Sequence, residues 1–383
     1  MRADMRADMR ADMHTSLRPG AILTVDLDAV RANYRLLRTR GAPAACGAVL
    51  KADAYGLGMA PVARALLQEG CRTFFTAHLD EAIRLRQIVP ADCTIHVMHG
   101  AMPGTARECV RHDLVPVLND PGQVAEWRAI ARDLGRTLPA ALQVDTGMSR
   151  MGMAPSDLER LMHDGAWHDG LRLQLVMSHL ACADEPAHPV NALQRERFAA
   201  LCARFPGVPA SLANSSGVFL GPAYHFDLLR PGCALYGINP QPAAPNPLRQ
   251  AVSLAARVVQ VRTVDAGDIV GYGARYLASG PTRIATIAIG YADGWLRALS
   301  GRSRAHVDGV ALPFVGTVSM DSITLDASAL PQGRLVPGDS VELLGAHQTV
   351  DEVAAQAGTI GYEVLTRLGN RFERRYLGQS SPA

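Results

Sequence analysis

Eight short apolar stretches in the first part of the chain share one property, which is that each ends on a polar residue. These stretches, with the residues that follow them, are Ala44–Leu50 before Lys51, Arg72–Ala77 before His78, Thr94–Met98 before His99, Leu114–Leu118 before Asn119, Ala140–Val144 before Asp145, Leu173–Met177 before Ser178 and His179, Pro209–Ala213 before Asn214, and Phe226–Leu229 before Arg230. Helical segments such as Pro61–Gly70 and Gln123–Gly135 separate them. Eight strand-and-helix units predict a (β/α)8 TIM-type barrel, in which the C-terminal strand ends carry the chemistry. The periodicity alone also allows an open, doubly wound sheet.

The pattern changes after the proline-rich stretch 239–247, which cannot be helix interior and is typical of a linker. Beyond it lie short strand-like runs separated by Gly, Pro and Asp turns, and one helical run, Asp351–Gly358. The strand-like runs are Val252–Val264, Arg283–Ile289, Ala305–Val307, Leu312–Val318, Ile323–Leu325 and Ser340–Leu344. We therefore predict a disordered extension over residues 1–20, a barrel over 21–245 and a mainly β domain over 246–383.

Composition narrows the class of protein. A chain of 383 residues that is 48% hydrophobic and 19% charged can bury one large core and a smaller one. The net charge of +2, without a long run of one sign, argues against a nucleic-acid partner. The seven cysteines form no CxxC pair, which favours a reducing compartment. No stretch approaches the roughly 20 apolar residues of a membrane helix. We expect a cytoplasmic protein.

The N-terminus repeats one tetrapeptide. Residues 1–12 are Met-Arg-Ala-Asp written three times, followed by Met13, and they lack the apolar core of a signal peptide. Because Met recurs in the repeat, the true start could be the first Met, Met5, Met9 or Met13.

Lys51 stands where the first apolar strand meets a glycine-rich turn, in Val-Leu-Lys-Ala-Asp-Ala-Tyr-Gly-Leu-Gly over residues 49–58. Burial lowers the pKa of an ammonium group, and the neutral amine can attack an aldehyde cofactor. A lysine at a strand end can equally be a surface residue whose stem covers apolar neighbours. The motif alone leaves both interpretations open.

Further motifs extend over about residues 22–377. They are Val-Asp-Thr-Gly-Met-Ser-Arg (144–150), Ser-His-Leu-Ala-Cys-Ala-Asp (178–184), Asn-Ser-Ser (214–216), Leu-Arg-Pro-Gly-Cys-Ala-Leu-Tyr-Gly (229–237), Gly-Tyr-Ala-Asp-Gly-Trp (290–295), Val-Ser-Met-Asp (318–321) and Gly-Thr-Ile-Gly-Tyr-Glu (358–363). Together with residues 49–58 they resemble, in order, the motifs of alanine racemases, which are pyridoxal phosphate enzymes of fold type III. The resemblance implies a (β/α)8 barrel followed by a β domain, pyridoxal phosphate as the cofactor, and racemisation of alanine that supplies D-alanine for peptidoglycan.

The resemblance also implies the two proton-transfer residues. Inverting a chiral Cα requires a proton to leave one face and return on the other, which takes two acid/base groups. By the family pattern these are Lys51, which first holds the cofactor as a Schiff base, and Tyr291. Tyrosine is a weak base at its ordinary pKa of about 10, so a polar or cationic environment must stabilise its phenolate. His179, with Arg230 behind it, would provide this environment.

Arg230 matches the family arginine that faces the pyridine nitrogen. A cationic guanidinium there keeps that nitrogen unprotonated, which weakens the ring as an electron sink and should disfavour transamination. Without the motif, an ordinary salt bridge would be the alternative for Arg230.

Other positions match the phosphate and substrate contacts of the family. The phosphate positions are Tyr55, Ser215, Gly232, Cys233 and Tyr362, where backbone amides and hydroxyls suit an anion. The two tyrosines could otherwise be core residues of the barrel mouth. Arg150 matches the arginine that binds the substrate carboxylate, and Met320 a backbone contact to it, with Asp321 beside Met320.

The chain departs from the family pattern at two positions. Gln143 replaces a lysine that is carbamylated in many relatives, so we predict no carbamylation, and either a weaker hold on Arg150 or an anion such as chloride beside it. Thr317 replaces an arginine common in that loop. Asp184 either lines the entrance or is a solvated loop carboxylate. His78 and His99 lack a third residue at metal-ligand spacing, so we expect hydrogen-bonded wall residues and no metal.

Tyr291, Met320 and Asp321 lie in the predicted β domain, and in the family these residues reach the barrel mouth of a second subunit. A head-to-tail homodimer with shared active sites is therefore implied. Three other functions remain as alternatives: a racemase of broader specificity, an amino-acid decarboxylase that uses pyridoxal phosphate, and a non-catalytic carrier of it. Arg230 and Tyr291 argue against the decarboxylase, and the β domain argues against the carrier.

Overall fold

The computed structural model describes residues 19–379. The predicted extension up to residue 18, with its alternative start positions, lies outside the described residues. The strands are β1 (Ala21–Asp26), β2 (Ala45–Cys46), β3 (Ala48–Val49), β4 (Thr73–Thr76), β5 (Thr94–Val97), β6 (Val115–Leu118), β7 (Leu138–Gln143), β8 (Leu171–Met177), β9 (Ala210–Ser211), β10 (Leu228–Leu229), β11 (Val252–Val264), β12 (Ile269–Val270), β13 (Tyr276–Leu277), β14 (Thr282–Ile287), β15 (Arg304–Val307), β16 (Val310–Val315), β17 (Ile323–Asp326), β18 (Ser340–Leu344) and β19 (Glu373–Leu377).

The right-handed helices are α1 (Leu27–Gly41), α2 (Met59–Gln68), α3 (Leu79–Arg86), α4 (Arg107–Arg111), α5 (Pro121–Asp133), α6 (Pro155–His163), α7 (Pro189–Cys202), α8 (Val350–Ala357) and α9 (Gly361–Arg367). Short 3₁₀ turns cover Gly217–Leu220, Pro222–Tyr224, Cys233–Tyr236, Tyr272–Ala274, Tyr291–Asp293 and Arg297–Leu299. No helix within residues 19–379 has the length and apolar composition that crossing a membrane requires.

The barrel is a parallel sheet in which β3 to β9 follow one another in chain order. It closes because β10 pairs in parallel with β2, which is separated from β3 by Gly47 alone. The core cluster around these strands is Val49, Phe75, Val115, Val117, Ala141, Leu175, Met177 and Leu228. The predicted TIM-type barrel is confirmed, and its strand ends place the polar residues that follow them at one rim.

The second sheet has the order β14, β17, β16, β15, β18, β11, β1 and β19. Its longest strand, β11, pairs antiparallel with β1, β14 and β18. A small hairpin of β12 and β13 accompanies it. The predicted mainly β domain is therefore confirmed, with α8 and α9 as its helices.

Strand β1 differs from the sequence-based assignment, which put residue 21 in the barrel. The structure pairs Ala21 with Ala256 and Val25 with Val252, both on β11. The described chain accordingly divides into a barrel unit of residues 26–251 and 376–379 and a β unit of residues 19–25 and 252–375. Alternating burial along β1 predicts a half-buried strand, but it carries no information about which sheet the strand joins.

Candidate active site

The segment that follows β3 coils in the left-handed sense. Residues Ala52–Tyr55 have φ between +52° and +58°, a region that side-chain-bearing residues avoid at a cost of ~1–2 kcal/mol each. The N–H of Gly56 donates to the carbonyl of Ala52 at 2.7 Å, which closes the coil. We name residues 51–58 the Lys51 turn. Because this turn starts at Lys51, its unusual backbone sets the direction in which the lysine leaves the strand.

A buried carboxylate anchors the Lys51 turn from outside. Glu81, on the first turn of α3, is 6% exposed. Its Oε1 accepts the N–H of Ala52 at 2.7 Å, and its Oε2 accepts the N–H groups of Ala77 at 2.9 Å and His78 at 3.1 Å. Sequence reasoning missed Glu81, because a glutamate in the first turn of a helix predicts only a capped helix start.

Lys51 is the only lysine in the chain, since every other residue counted as Lys or Arg is arginine. Burial lowers its pKa below the ordinary value, and the guanidinium of Arg150 lowers it further, while Glu81 and Cys233 act in the opposite direction. A lowered pKa increases the neutral fraction of the amine, which is the form that attacks an aldehyde. The lysine count was a second sequence signal for this residue, which the motif comparison did not use.

Arg230 follows β10 and is 3% exposed. Its guanidinium donates to Ser211 Oγ at 2.5 Å and to the carbonyl oxygen of Ser178 at 2.5 Å, and it lies 3.5 Å from His179 Nδ1. No carboxylate within residues 19–379 pairs with it, so the salt-bridge alternative is not what the structure shows. Burial lowers the pKa of Arg230 to about 9, which still leaves the group cationic at neutral pH.

Two imidazoles near Arg230 are neutral. The pKa of His179 is lowered to about 3, first by burial and then by the cations of Arg230, Arg150 and Lys51. The pKa of His96 is also lowered to about 3, by burial and by Arg230, and its ring stacks on Phe75 with centroids 4.8 Å apart. Sequence reasoning missed His96, because it lies inside an apolar run.

Ser215, Gly232 and Cys233 form a small cradle beside Tyr55. The Ser215 hydroxyl oxygen accepts the N–H groups of Gly232 at 2.9 Å and Ala234 at 3.2 Å, which leaves its own proton available to an outside acceptor. A Cβ on Gly232 would lie 2.5 Å from the Tyr55 hydroxyl oxygen, so only glycine fits there. Backbone amides, a hydroxyl donor and the absence of bulk are what a phosphate group requires.

Gln143 and Arg150 lie near the end of β7, where the carbonyl of Gln143 accepts the N–H of Met153 at 2.8 Å. Gln143 is buried and Arg150 is exposed. In the described part of the chain neither side chain has a hydrogen-bond or ion-pair partner. Arg150 also lines a cavity of about 660 Å³ together with His99 and Asn119. The Oδ1 of Asn119 is buried without a hydrogen-bond partner.

The loop that carries Arg150 is organised by Asp145. One carboxylate oxygen, Oδ1, accepts three consecutive backbone N–H groups, those of residues 147, 148 and 149, at 2.9 to 3.1 Å. This fixes the backbone just before Arg150. The motif comparison included Asp145 without giving it a role.

In the β unit, the turns that carry Tyr291 and Met320 are joined by their backbones. The N–H of Tyr291 donates to the carbonyl of Ser319 at 3.0 Å, and the N–H of Ala292 donates to that of Met320 at 3.0 Å. A Cβ on Gly290 would lie 2.3 Å from both carbonyl oxygens, so the close approach requires glycine. The Tyr291 and Met320 side chains are 43% and 52% exposed.

Asp293, Asp321 and Arg371 link the same two turns through their side chains. The Oδ2 of Asp293 accepts the N–H of Gly290 at 2.9 Å, and its Oδ1 lies 3.0 Å from Arg371 Nε. Arg371 also donates from one terminal nitrogen to Asp321 Oδ1 at 2.8 Å. Sequence reasoning named Asp321 but missed Asp293 and Arg371, which are distant in sequence from each other.

The remaining predicted positions fall as follows. Tyr362 lies on α9, where its carbonyl accepts the hydroxyl of Thr366 at 2.8 Å. Thr317 is buried, and its hydroxyl donates to the carbonyl of Tyr272 at 3.2 Å. Asp184 is exposed in the loop after β8. The rings of His78 and His99 meet edge to face with centroids 4.7 Å apart. Among the described residues, no group of three or more potential ligands is arranged to hold a metal ion.

The predicted residues are thus divided between the two units. The barrel unit carries Lys51, Tyr55, Gln143, Arg150, His179, Ser215, Arg230, Gly232 and Cys233. The β unit carries Tyr291, Met320, Asp321 and Tyr362.

Comparison with known proteins agrees with this division. Residues 25–240 match the family model of the N-terminal domain of alanine racemase, and residues 251–376 match that of its C-terminal domain. Over 359 residues the chain is 56% identical to a protein of Mesorhizobium japonicum named "Alanine racemase, catabolic", covering 94% of each chain. Over 374 residues it is 49% identical to the alanine racemase of Brucella abortus, again covering 94% of each.

A solved structure gives the same result. The alanine racemase of Bartonella henselae, determined with covalently bound pyridoxal phosphate, superposes with a TM-score of 0.91 at 40% identity, covering 94% of this chain and 100% of that one. A barrel and a β domain with these matches define an isomerase of the racemase class. The chain belongs to the alanine racemase family.

Proposed function

We propose that this protein interconverts L-alanine and D-alanine, with pyridoxal phosphate as cofactor and with Lys51 and Tyr291 as the residues that move the proton at Cα. The observation that carries the proposal is that the only lysine in the chain stands at a barrel strand end, on a left-handed turn held by hydrogen bonds, with a lowered pKa. The names of the relatives, and the cofactor bound to the Bartonella protein, support the same conclusion.

The residues present fit the cofactor. Lys51 would hold its aldehyde carbon, while Ser215, Gly232, Cys233, Tyr55 and Tyr362 would hold its phosphate. The free proton of the Ser215 hydroxyl and the absence of a side chain at Gly232 are the features that suit the phosphate. When bound, pyridoxal phosphate supplies an electron sink that makes the Cα–H of an attached amino acid acidic.

Arg230 would lie at the pyridine nitrogen. The group is cationic at neutral pH and is held by neutral oxygens rather than by a carboxylate. It therefore cannot supply a proton to that nitrogen, which limits the electron sink and favours return of the proton to Cα. The same feature argues against a decarboxylase, for which we expect an acidic partner at that position.

Inversion at Cα requires proton carriers on both faces of the substrate. We assign one face to the Lys51 amine and the other to the hydroxyl of Tyr291 of the partner subunit. Arg150 would bind the substrate carboxylate, with the backbone at Met320 as a second contact and with Gln143 and Asp321 as supporting residues. The exposure of Tyr291 and Met320 leaves them accessible to another subunit.

A head-to-tail homodimer with shared active sites follows from this assignment. Each site would combine the barrel unit of one subunit with the β unit of the other. Two turns that are held rigidly to each other, as those of Tyr291 and Met320 are, suit insertion into a partner as one piece.

A racemase of broader specificity is the second candidate. Arg150, the proposed contact of the substrate carboxylate, lines an open pocket of about 660 Å³, which leaves room beside it for side chains larger than a methyl group. Racemisation rates measured for a series of amino acids would separate the two candidates.

The physiological role is also open to test. Supply of D-alanine for peptidoglycan is our prediction, whereas the name of the Mesorhizobium relative favours a catabolic role for D- and L-alanine. A deletion strain that requires D-alanine supports the biosynthetic role. A strain that grows without D-alanine but no longer uses alanine as a carbon source supports the catabolic one.

The deciding experiment follows deuterium at Cα of each alanine enantiomer in heavy water. We expect the wild-type protein to invert both enantiomers, and Lys51→Ala and Tyr291→Phe each to lower inversion by at least about 100-fold, the lower end of the usual contribution of a general acid or base. Borohydride reduction should fix the cofactor on a single peptide, because the chain has one lysine. Normal inversion by both variants would refute the mechanism.

A further inference from the structure

Two carboxylates are almost fully buried within residues 19–379. Glu81 is 6% exposed and Asp293 is 4% exposed, whereas the other acidic residues of that range retain more contact with solvent. A buried carboxylate is costly unless hydrogen bonds compensate it. Each of these two carboxylates must therefore accept hydrogen bonds that stabilise the local structure.

Glu81 holds the peptide that directly follows Lys51. Its Oε1 accepts the N–H of Ala52, the first of the left-handed residues, at 2.7 Å. Its other oxygen is bound to the start of α3 through the N–H groups of Ala77 and His78. The carboxylate thus ties an energetically unfavourable turn to a helix.

Asp293 holds the backbone N–H of Gly290, the residue that directly precedes Tyr291. Its Oδ2 accepts the N–H of Gly290 at 2.9 Å. Its Oδ1 lies 3.0 Å from Arg371 Nε, and Arg371 reaches on to Asp321, beside Met320. The same kind of group therefore stands next to each of the two proton-transfer residues of the proposed mechanism.

We propose that Glu81 and Asp293 are positioning residues, and that each fixes one of the two proton carriers, Glu81 for Lys51 and Asp293 for Tyr291. This inference rests on the proposed function, since it assigns the two residues to opposite faces of the substrate. A proton carrier must lie within hydrogen-bond reach of Cα along a narrow range of directions, so small backbone shifts are costly.

The two directions of the reaction are thermodynamically equivalent, and this equivalence determines which measurement can detect a misplaced proton carrier. Enantiomers have equal free energy in water, so kcat/KM must remain equal for the two directions in every variant. A misplaced proton carrier on one face instead increases the exchange of the Cα proton for deuterium without inversion. When one carrier removes the proton and the other is misplaced, the first carrier exchanges that proton with heavy water and returns a deuteron to the same face.

The experiment compares Glu81→Gln and Asp293→Asn holoenzymes in heavy water. We expect the ratio of exchange without inversion to inversion to rise about tenfold in each variant, the factor that one lost charge-assisted hydrogen bond corresponds to. We expect the ratio to increase for one enantiomer in Glu81→Gln and for the opposite enantiomer in Asp293→Asn. Should Glu81→Gln fail to accumulate in folded form, Glu81→Asp keeps the charge, shortens the reach and carries the same expectation.

Matched controls come from the same chain. Glu352 accepts the N–H of Thr349 at 2.7 Å in an exposed helix cap, and Asp268 accepts the N–H of Asp265 at 2.8 Å in an exposed turn. Glu352→Gln and Asp268→Asn therefore remove the same types of bond elsewhere, and they should leave the ratio unchanged for both enantiomers.

Amide hydrogen exchange of the same proteins gives a second readout that is independent of activity. We expect faster exchange in peptides covering residues 50–58 for Glu81→Gln only, and in those covering residues 289–295 for Asp293→Asn only. Variants that behave like the controls, or that affect the same enantiomer, would overturn the inference. A wild-type protein that inverts neither enantiomer contradicts the proposed function instead, and the amide exchange still decides whether each carboxylate holds its turn.

Discussion

Lys51 provides the only side-chain amine among 383 residues. An aldehyde cofactor reacts with accessible amines, so a protein surface without lysine offers it no competing side chain. Arginine supplies the other cations, and its guanidinium remains protonated and does not react in this way at neutral pH. The chemistry of the amine in this protein is thus confined to one side chain, whose pKa can be measured without overlap.

The pKa of Lys51 is therefore a direct prediction. Protein labelled with ¹⁵N-lysine and freed of cofactor should give one side-chain resonance whose titration lies below the ordinary lysine pKa, because burial disfavours the ammonium. Arg150→Gln should raise this pKa, since it removes a nearby positive charge. Glu81→Gln should lower it further, since it removes a nearby negative charge.

The direction of the Lys51 pKa shift also determines how the rate of cofactor capture depends on pH. The neutral amine is the reactive form, so the capture rate should rise with pH through the pKa of Lys51, and this rise should move to higher pH in Arg150→Gln. Arg132→Gln, which removes an exposed cation of α5, is the control and should change neither quantity. An ordinary lysine pKa in the wild-type apoprotein would contradict the prediction.

The cradle beside Tyr55 makes a prediction at the scale of an element, the 3₁₀ turn that begins at Cys233. A methyl group at Gly232 would lie 2.5 Å from the Tyr55 hydroxyl oxygen. Overpacking of this kind costs about 1–3 kcal/mol, so Gly232→Ala should weaken cofactor binding by about 10- to 100-fold. Titration of the apoprotein with pyridoxal phosphate, followed by absorbance, measures this.

Gly165→Ala serves as the control for Gly232→Ala, because a Cβ at Gly165 meets nothing within 4 Å. Thermal unfolding of both variants shows whether the barrel remains intact. Unchanged cofactor affinity in Gly232→Ala would mean that Gly232 does not lie against the phosphate.

The sequence was sufficient to predict those elements whose signal is local. The eight apolar runs placed the barrel strands within a few residues, and their polar ends included Lys51, His179 and Arg230. The left-handed conformation of Ala52–Tyr55 was not predictable, since those residue types favour other conformations.

Long-range contacts were beyond the sequence patterns. The pairing of β1 with β11 and the bond between Glu81 and Ala52 each join segments that are distant along the chain. Asp293 is a different case: the motif Gly-Tyr-Ala-Asp-Gly contains it, but burial, not residue type, distinguishes it from Asp268, which makes the same local bond at an exposed turn. Such roles require coordinates.

The homodimer makes a prediction for the whole molecule. In a head-to-tail dimer with shared sites, a heterodimer of Lys51→Ala and Tyr291→Phe subunits has one site with both defects and one intact site. Coexpression with random pairing should therefore restore about a quarter of wild-type activity, because half of the dimers are mixed and each has one working site of two. Racemisation and sedimentation of the purified mixture measure this.

Each variant alone, at the same concentration, is the control for that mixture. A mixture no more active than its components would exclude shared sites. Full specific activity of wild-type protein that sediments as a monomer would exclude them as well.

The pairing of β1 with β11 also affects how the chain folds during its synthesis. Residues 21–25 leave the ribosome before the barrel segment, yet their partner strand begins only at Val252. At 5–20 residues per second the nascent β1 waits on the order of ten seconds or longer, while the barrel segment is made in between. A chain stalled before Val252 would hold a barrel segment with an unpaired, apolar first strand, and such a strand is a site at which nascent chains associate with chaperones or with each other.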